Sequence, residues 1–156
     1  MEANMEKTWV VVADSSHARI FQLRDPQHSL EELEDLSNAA GRADNRQLQS
    51  DSNAQFNSPA GSHNTYQPSE TPVEHEVHQF ARHLGHRLST AAAQNKYHQL
   101  CLIAAPRFLG LLRDSLDKPA RKLVVAELDK NFTAFAKQDI EACIKDLAFK
   151  PRHSES

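Results

Sequence analysis

The sequence predicts an α/β fold, a single domain built on a mixed five-stranded sheet with helices packed on it. Three observations lead there. Short β-branched runs at residues 8–13 and 18–23 are joined by turn residues, a long segment from Val73 switches to helical periodicity, and two further apolar runs, 99–105 and 123–128, alternate with helical segments. The 156 residues, 39% hydrophobic and 25% charged, suffice for one core rather than two.

Taken in order, Thr8-Trp9-Val10-Val11-Val12-Ala13 is nearly continuous in its apolarity, as a central strand buried on both faces must be. Asp14-Ser15-Ser16-His17 follows as a turn, because short polar side chains bond their own backbone. Ala18 to Leu23 is the second strand, closed by a turn at Asp25-Pro26-Gln27-His28. Leu30, Leu33 and Leu36, interleaved with Glu31, Glu32, Glu34 and Asp35, give a third strand, with helix as the competitor on propensity.

Residues 38–72 are dominated by Asn, Ser, Gln, Asp and Gly, with Leu48, Phe56 and Tyr66 as the large apolar residues, and are expected to form a flexible polar loop. Val73, Val77, Phe80, Ala81, Leu84, Leu88, Ala91 and Ala92 then recur at helical steps to about Asn95, after a Thr71-Pro72 start. Gln99 to Ala105 is a buried strand ended by Pro106, and Phe108, Leu109, Leu112 and Leu116 mark a short helix that Lys118-Pro119 should break. Leu123 to Leu128 is the last strand, Ile140, Ile144 and Leu147 mark the closing helix, and the tail from about 150 should fray. The first three strands make an antiparallel meander. The last two, reached across helices, run parallel to the first by right-handed crossovers, so the order is 3-2-1-4-5 with strand 2 antiparallel.

Charge is unevenly spread on a chain of net charge -3: residues 1–37 carry 3 basic and 8 acidic side chains, residues 73–156 carry 13 and 10, and the latter hold six of the nine histidines. The basic half is compatible with an anionic partner or with an ordinary solvated surface. No apolar run approaches the roughly 18 residues of a spanning helix, and the start lacks the pattern of a secretion signal, so no membrane insertion and a cytoplasmic location are expected. Cys101 and Cys143 have neither metal-ligand nor disulfide-framework spacing and are expected to be reduced core thiols. Nothing in the composition sets the oligomeric state.

Among residues that could carry chemistry, His75, His78, His83 and His86 share the long helix and offer at most a two-point metal site. At about 100° per residue they project opposite Val77, Phe80, Leu84 and Leu88, so they are read as a solvated face in preference to a metal site. Asp14, Glu127 and Asp129 end strands, but the fourth strand supplies no acid, and Arg107 lies between the first and last strands in the expected order. That set is unlike a two-metal nuclease site. The four glycines, Gly41, Gly61, Gly85 and Gly110, are isolated, so neither a phosphate loop nor a nucleophile elbow is present, and no cofactor is expected. The better candidate is Ala105-Pro106-Arg107-Phe108-Leu109-Gly110-Leu111-Leu112-Arg113, where a central parallel strand hands over to a helix. Free N–H groups and Arg107 there suit a phosphate or carboxylate, with plain core packing as the alternative.

Those nine residues, together with Trp9 to Asp14 running into Ala18-Arg19-Ile20-Phe21, Gly41-Arg42, Phe80-Ala81 and Glu127-Leu128-Asp129-Lys130-Asn131-Phe132-Thr133, resemble the bacterial host attachment protein family over nearly the whole chain. The family carries an acidic residue and then Leu-Thr where this chain has Asn131-Phe132-Thr133, so the resemblance implies no carboxylate role there. It also implies kinship to the middle domain of archaeal and eukaryotic peptide-chain release factors, whose topology, shared with ribonuclease H-like folds, agrees with the order above. The release factors' Gly-Gly-Gln is absent, which excludes peptidyl-tRNA hydrolysis by that route. What the resemblance leaves is a non-catalytic module contacting the ribosome, tRNA or another anionic ligand. Its candidate contacts are Arg107, Phe108, Gly110 and Arg113, with Arg42, Arg46, Asp14, Asp129 and Lys130. The rival readings are a phosphate-ester hydrolase using Asp14, Arg107 and Asp129, and a protein-interaction module acting in attachment.

Overall fold

A computed structural model describes residues 7–24, 29–39 and 71–147, with the side chains of 146 and 147 left aside. Five strands, β1 (Thr8–Ala13), β2 (His17–Arg24), β3 (Ser29–Ser37), β4 (Gln99–Ala104) and β5 (Val124–Leu128), form one sheet of order β3-β2-β1-β4-β5. β1 pairs antiparallel with β2 across the turn at Asp14–Ser16 and parallel with β4 across the helical crossover. Every residue of β1 and β4 is buried, which explains why these two strands lack polar alternation.

Helices α1 (Pro72–Ala93), α2 (Pro106–Ser115) and α3 (Lys118–Lys122) cover one face, over Trp9, Val11, Ile20, Leu100 and Leu102. Helix α4 (Lys137–Leu147) covers the other, where Ile140 and Ile144 pack on Val10, Val12, Phe21 and Ile103. The start of α1 is a complete capping box: Thr71 Oγ1 accepts from Glu74 N and Glu74 Oε1 accepts from Thr71 N, each at 3.0 Å. Its end is a Schellman motif, with Asn95 at φ 60°, Lys96 N donating to Ala91 O and Asn95 N to Ala92 O, each at 2.9 Å. Glycine is needed at Gly85, where a Cβ would lie 2.6 Å from the Ser115 carbonyl oxygen, so this residue sets how closely α1 and α2 approach.

The third strand forms as expected, and other expectations need correction. Within β3, Ile20 pairs with Glu34 and Phe21 with Glu32, so Leu33 is an extra, bulged residue, 37% exposed. The bulge shifts the phase of the strand. Leu30 therefore packs beneath α4 and Leu36 against the α1 side, although six residues separate them. Lys118-Pro119 does not merely stop α2; Asp117 accepts from Ala120 N and Pro119 fits an early helical position, so the pair opens α3 and Leu123 becomes its cap rather than strand. Asn38, at the start of the expected polar stretch, is bonded to the first turn through its backbone N to Ser16 O at 2.8 Å and its side chain to Ser15 O at 3.0 Å. Finally, Cys101 is buried as expected, but Cys143 is only half-buried. The rest of the expected loop, with Arg42 and Arg46, and the tail lie outside the described residues.

Candidate functional site

The carboxyl ends of β1, β4 and β5 lie side by side, so Asp14, Ala105 to Arg107 and Asp129 to Thr133 meet at one edge of the sheet. Asp14 is 4% exposed, and donors surround its carboxylate. Oδ1 accepts from Ser16 N at 2.8 Å, Ser16 Oγ at 3.1 Å and His17 N at 2.9 Å, the turn that the sequence anticipates. Oδ2 accepts from Asn131 Nδ2 at 2.9 Å, and Thr133 Oγ1 lies 3.0 Å away. The Thr133 hydroxyl also sits 2.8 Å from Asn131 Oδ1 and, with one proton, donates to one of the two at a time. Asp14 thus fastens the segment after β5 to the end of β1.

Arg19 fastens the same segment from below. Its Nη1 donates to the carbonyls of Phe135 at 2.8 Å and Thr133 at 3.3 Å, while Nε reaches Glu32 Oε2 at 3.2 Å and the guanidinium lies 5.0 Å from the Phe21 ring centre. The result presents Phe135, 39% exposed and stacked on Phe132 with ring centres 4.6 Å apart. Sequence reasoning gave Arg19, Asn131 and Thr133 no role and passed over Phe135. The signal was the Asn-x-Thr after a strand, whose short polar side chains bond each other and also reach Asp14 across the sheet edge.

The start of α2 is open. Ala105 occupies its cap position and supplies no side-chain bond, the first turn holds no acid, and Arg107, exposed, comes 3.9 Å from Glu74 Oε2 in the first turn of α1. The other candidates on α2 separate from it. Phe108 is 1% exposed and packs on Phe80, ring centres 5.9 Å apart, so it belongs to the core. Gly110 has no atom within 4 Å of where a Cβ would stand, and Arg113 is spent on Glu127 Oε2 at 3.1 Å. Asp129 and Lys130 are exposed at the end of β5. The helix histidines stay apart: His75, His83 and His86 are exposed, His78 is half-buried, and among the described residues no cluster of three or more His, Cys, Asp or Glu could hold a metal ion. No helix among the described residues is long and apolar enough to cross a membrane.

The family described as "Protein required for attachment to host cells" matches residues 9–144. This chain belongs to that family. No curated protein matches it. Among solved structures, this host attachment family member is similar to the archaeal translation termination factor aRF1, at 13% identity and a TM-score of 0.50. The likeness covers 90% of this chain and 37% of aRF1, so the family member spans little more than a third of that protein, and what they share is the fold.

Proposed function

We propose that this host attachment family protein is a non-catalytic cytoplasmic module that contacts RNA, ribosomal or transfer, through the edge where β1 and β4 end. The single observation that carries this reading is the start of α2: a ten-residue helix begins at the carboxyl edge with no side-chain cap and no acid in its first turn, and that turn carries Arg107, exposed and 3.9 Å from Glu74 Oε2. The N–H groups of that turn and the guanidinium suit phosphate oxygens. The likeness to a translation termination factor favours the ribosome as the source of the phosphates. Asp14 supports binding over hydrolysis, because its carboxylate oxygens already accept from Ser16, His17 and Asn131, so they are committed to structure rather than held ready for a metal or a nucleophilic attack.

Sedimentation of the purified protein with ribosomes tests this reading. Co-sedimentation is expected at low salt, falling steeply as salt rises and lost in Arg107→Ala. Protein that stays in the supernatant at low salt overturns it.

A further inference from the structure

A second site lies at the opposite end of α1, away from Arg107. Helices α1 to α3 sit over the β1, β4 and β5 side of the sheet, so the flank of α1 and the exposed reach of β2 and β3 leave a cleft of about 310 Å³ between them. Its floor is apolar: Trp9, 8% exposed, Ile20 and Ala91. Its wall is the ion pair of Arg87 with Glu34, which links α1 to β3. Two helical stripes face inward, His86, Thr90 and Gln94 on one and Arg87 and Ala91 on the other, at the four-residue steps that keep side chains on one side of a helix. The Schellman turn at Asn95 then folds the chain back and sets Lys96 on the rim.

Arg87, Glu34 and the Trp9 indole N–H, which donates to Gln22 Oε1 at 3.4 Å, are engaged by the fold, whereas four other polar side chains of the cleft are not. Among the described residues, the side chains of His86, Thr90, Gln94 and Lys96 make no hydrogen bond or ion pair. Glu34 and Arg87 neutralise each other, so the charge left over is the Lys96 ammonium. An indole-floored, half-enclosed cleft with converging donors and one unmatched cation is the arrangement that takes a flat apolar body with a single acidic group. We propose that this cleft binds a small planar aromatic acid, its ring against Trp9 and Ile20 and its anionic group on Lys96, with Thr90 and Gln94 as further donors.

Trp9 is the single tryptophan of the chain, so its indole N–H gives one nuclear magnetic resonance signal that reports directly on this floor. The full chain is titrated with 2-naphthoate and, in parallel, with the uncharged 2-naphthalenemethanol. The Trp9 signal is expected to move and saturate with naphthoate, with the alcohol at least about fivefold weaker. Lys96→Glu should weaken naphthoate by at least about tenfold. Thr90→Phe, at an exposed position that tolerates the change, should fill the cleft and abolish the effect. The remaining amide signals show that each variant is folded. An indole signal unmoved at about 10 mM naphthoate, an alcohol that binds as well as the acid, or either variant binding naphthoate as tightly as the unsubstituted protein overturns the proposal.

Discussion

Asn131 donates its side-chain amide to Asp14 Oδ2 at 2.9 Å, joining residues 117 positions apart in the chain. The bond puts a neutral donor against a buried carboxylate, and the identity of that donor matters more than its size. Replacing Asn131 by Ala removes this bond and the one that Thr133 N donates to Asn131 Oδ1 at 3.0 Å, and should cost about 1–2 kcal/mol. Asn131→Asp, nearly the same shape, brings a second carboxylate against the first and should cost about 1–3 kcal/mol more. Urea unfolding at pH 7 checks the order; an Asp variant as stable as the Ala variant would show that the pair is not in contact in solution.

Two glycines on neighbouring helices should respond in opposite directions. Gly85→Ala places a Cβ 2.6 Å from both the Cβ and the carbonyl oxygen of Ser115, so α1 and α2 must separate, at about 1–3 kcal/mol. Gly110→Ala meets nothing and gains helix propensity, so it should stabilise by about 0.5–1 kcal/mol. Thermal melts of the two variants, raised for one and lowered for the other, are the check.

Tyr97 donates its hydroxyl to Leu88 O at 2.7 Å inside the core, its ring tilted against Trp9 with ring centres 4.9 Å apart. Burial, with the Asp117 carboxylate adding to it, holds its phenol above the ordinary tyrosine range. The unfolded chain therefore releases this proton first as pH rises, and stability should fall with pH above about 10. An alkaline absorbance titration of the native protein should show at most one of the two tyrosines ionising near the ordinary value. Tyr97→Phe should flatten the alkaline fall.

The thiols should separate by reactivity. Burial, and to a lesser degree the Glu127 carboxylate, push the Cys101 thiol up to about 12, so it holds almost no thiolate at pH 8. A disulfide reagent should count at most one thiol, Cys143, in the native protein and both in guanidinium. Fast labelling of two native thiols would contradict the packing of β4 beneath α4.

These cases show where the sequence was informative. The sheet order follows from local signals: unbroken apolar runs for β1 and β4, short turns for the meander, and helical periodicity for the crossovers. Their physics is carried by neighbours in the chain. The β3 bulge was not legible, because spacing of three between Leu30, Leu33 and Leu36 fits either a helix or a strand with an inserted residue, and only pairing with β2 decides. The tether around Asp14 was half legible: its turn bonds reach two and three residues onward, whereas its bonds to Asn131 and Thr133 depend on which strands end together. The Trp9 cleft was invisible, since its floor comes from β1 and β2, its wall from β3 and α1, and no segment alone carries a motif.

The two rims of the sheet differ in a way that bears on handling the protein. β3 is kinked by its bulge and lined with Glu31, Glu32, Glu34 and Asp35, features that keep a rim from templating a foreign strand. β5 also has a register shift, at Leu100/Cys101 of its partner, but it is otherwise apolar and carries one acid, Glu127, already matched by Arg113, so charge is what separates the two rims. Aggregation of heated or destabilised protein should therefore start along β5, and the acidic β3 rim is the safer side for a label or a surface tether.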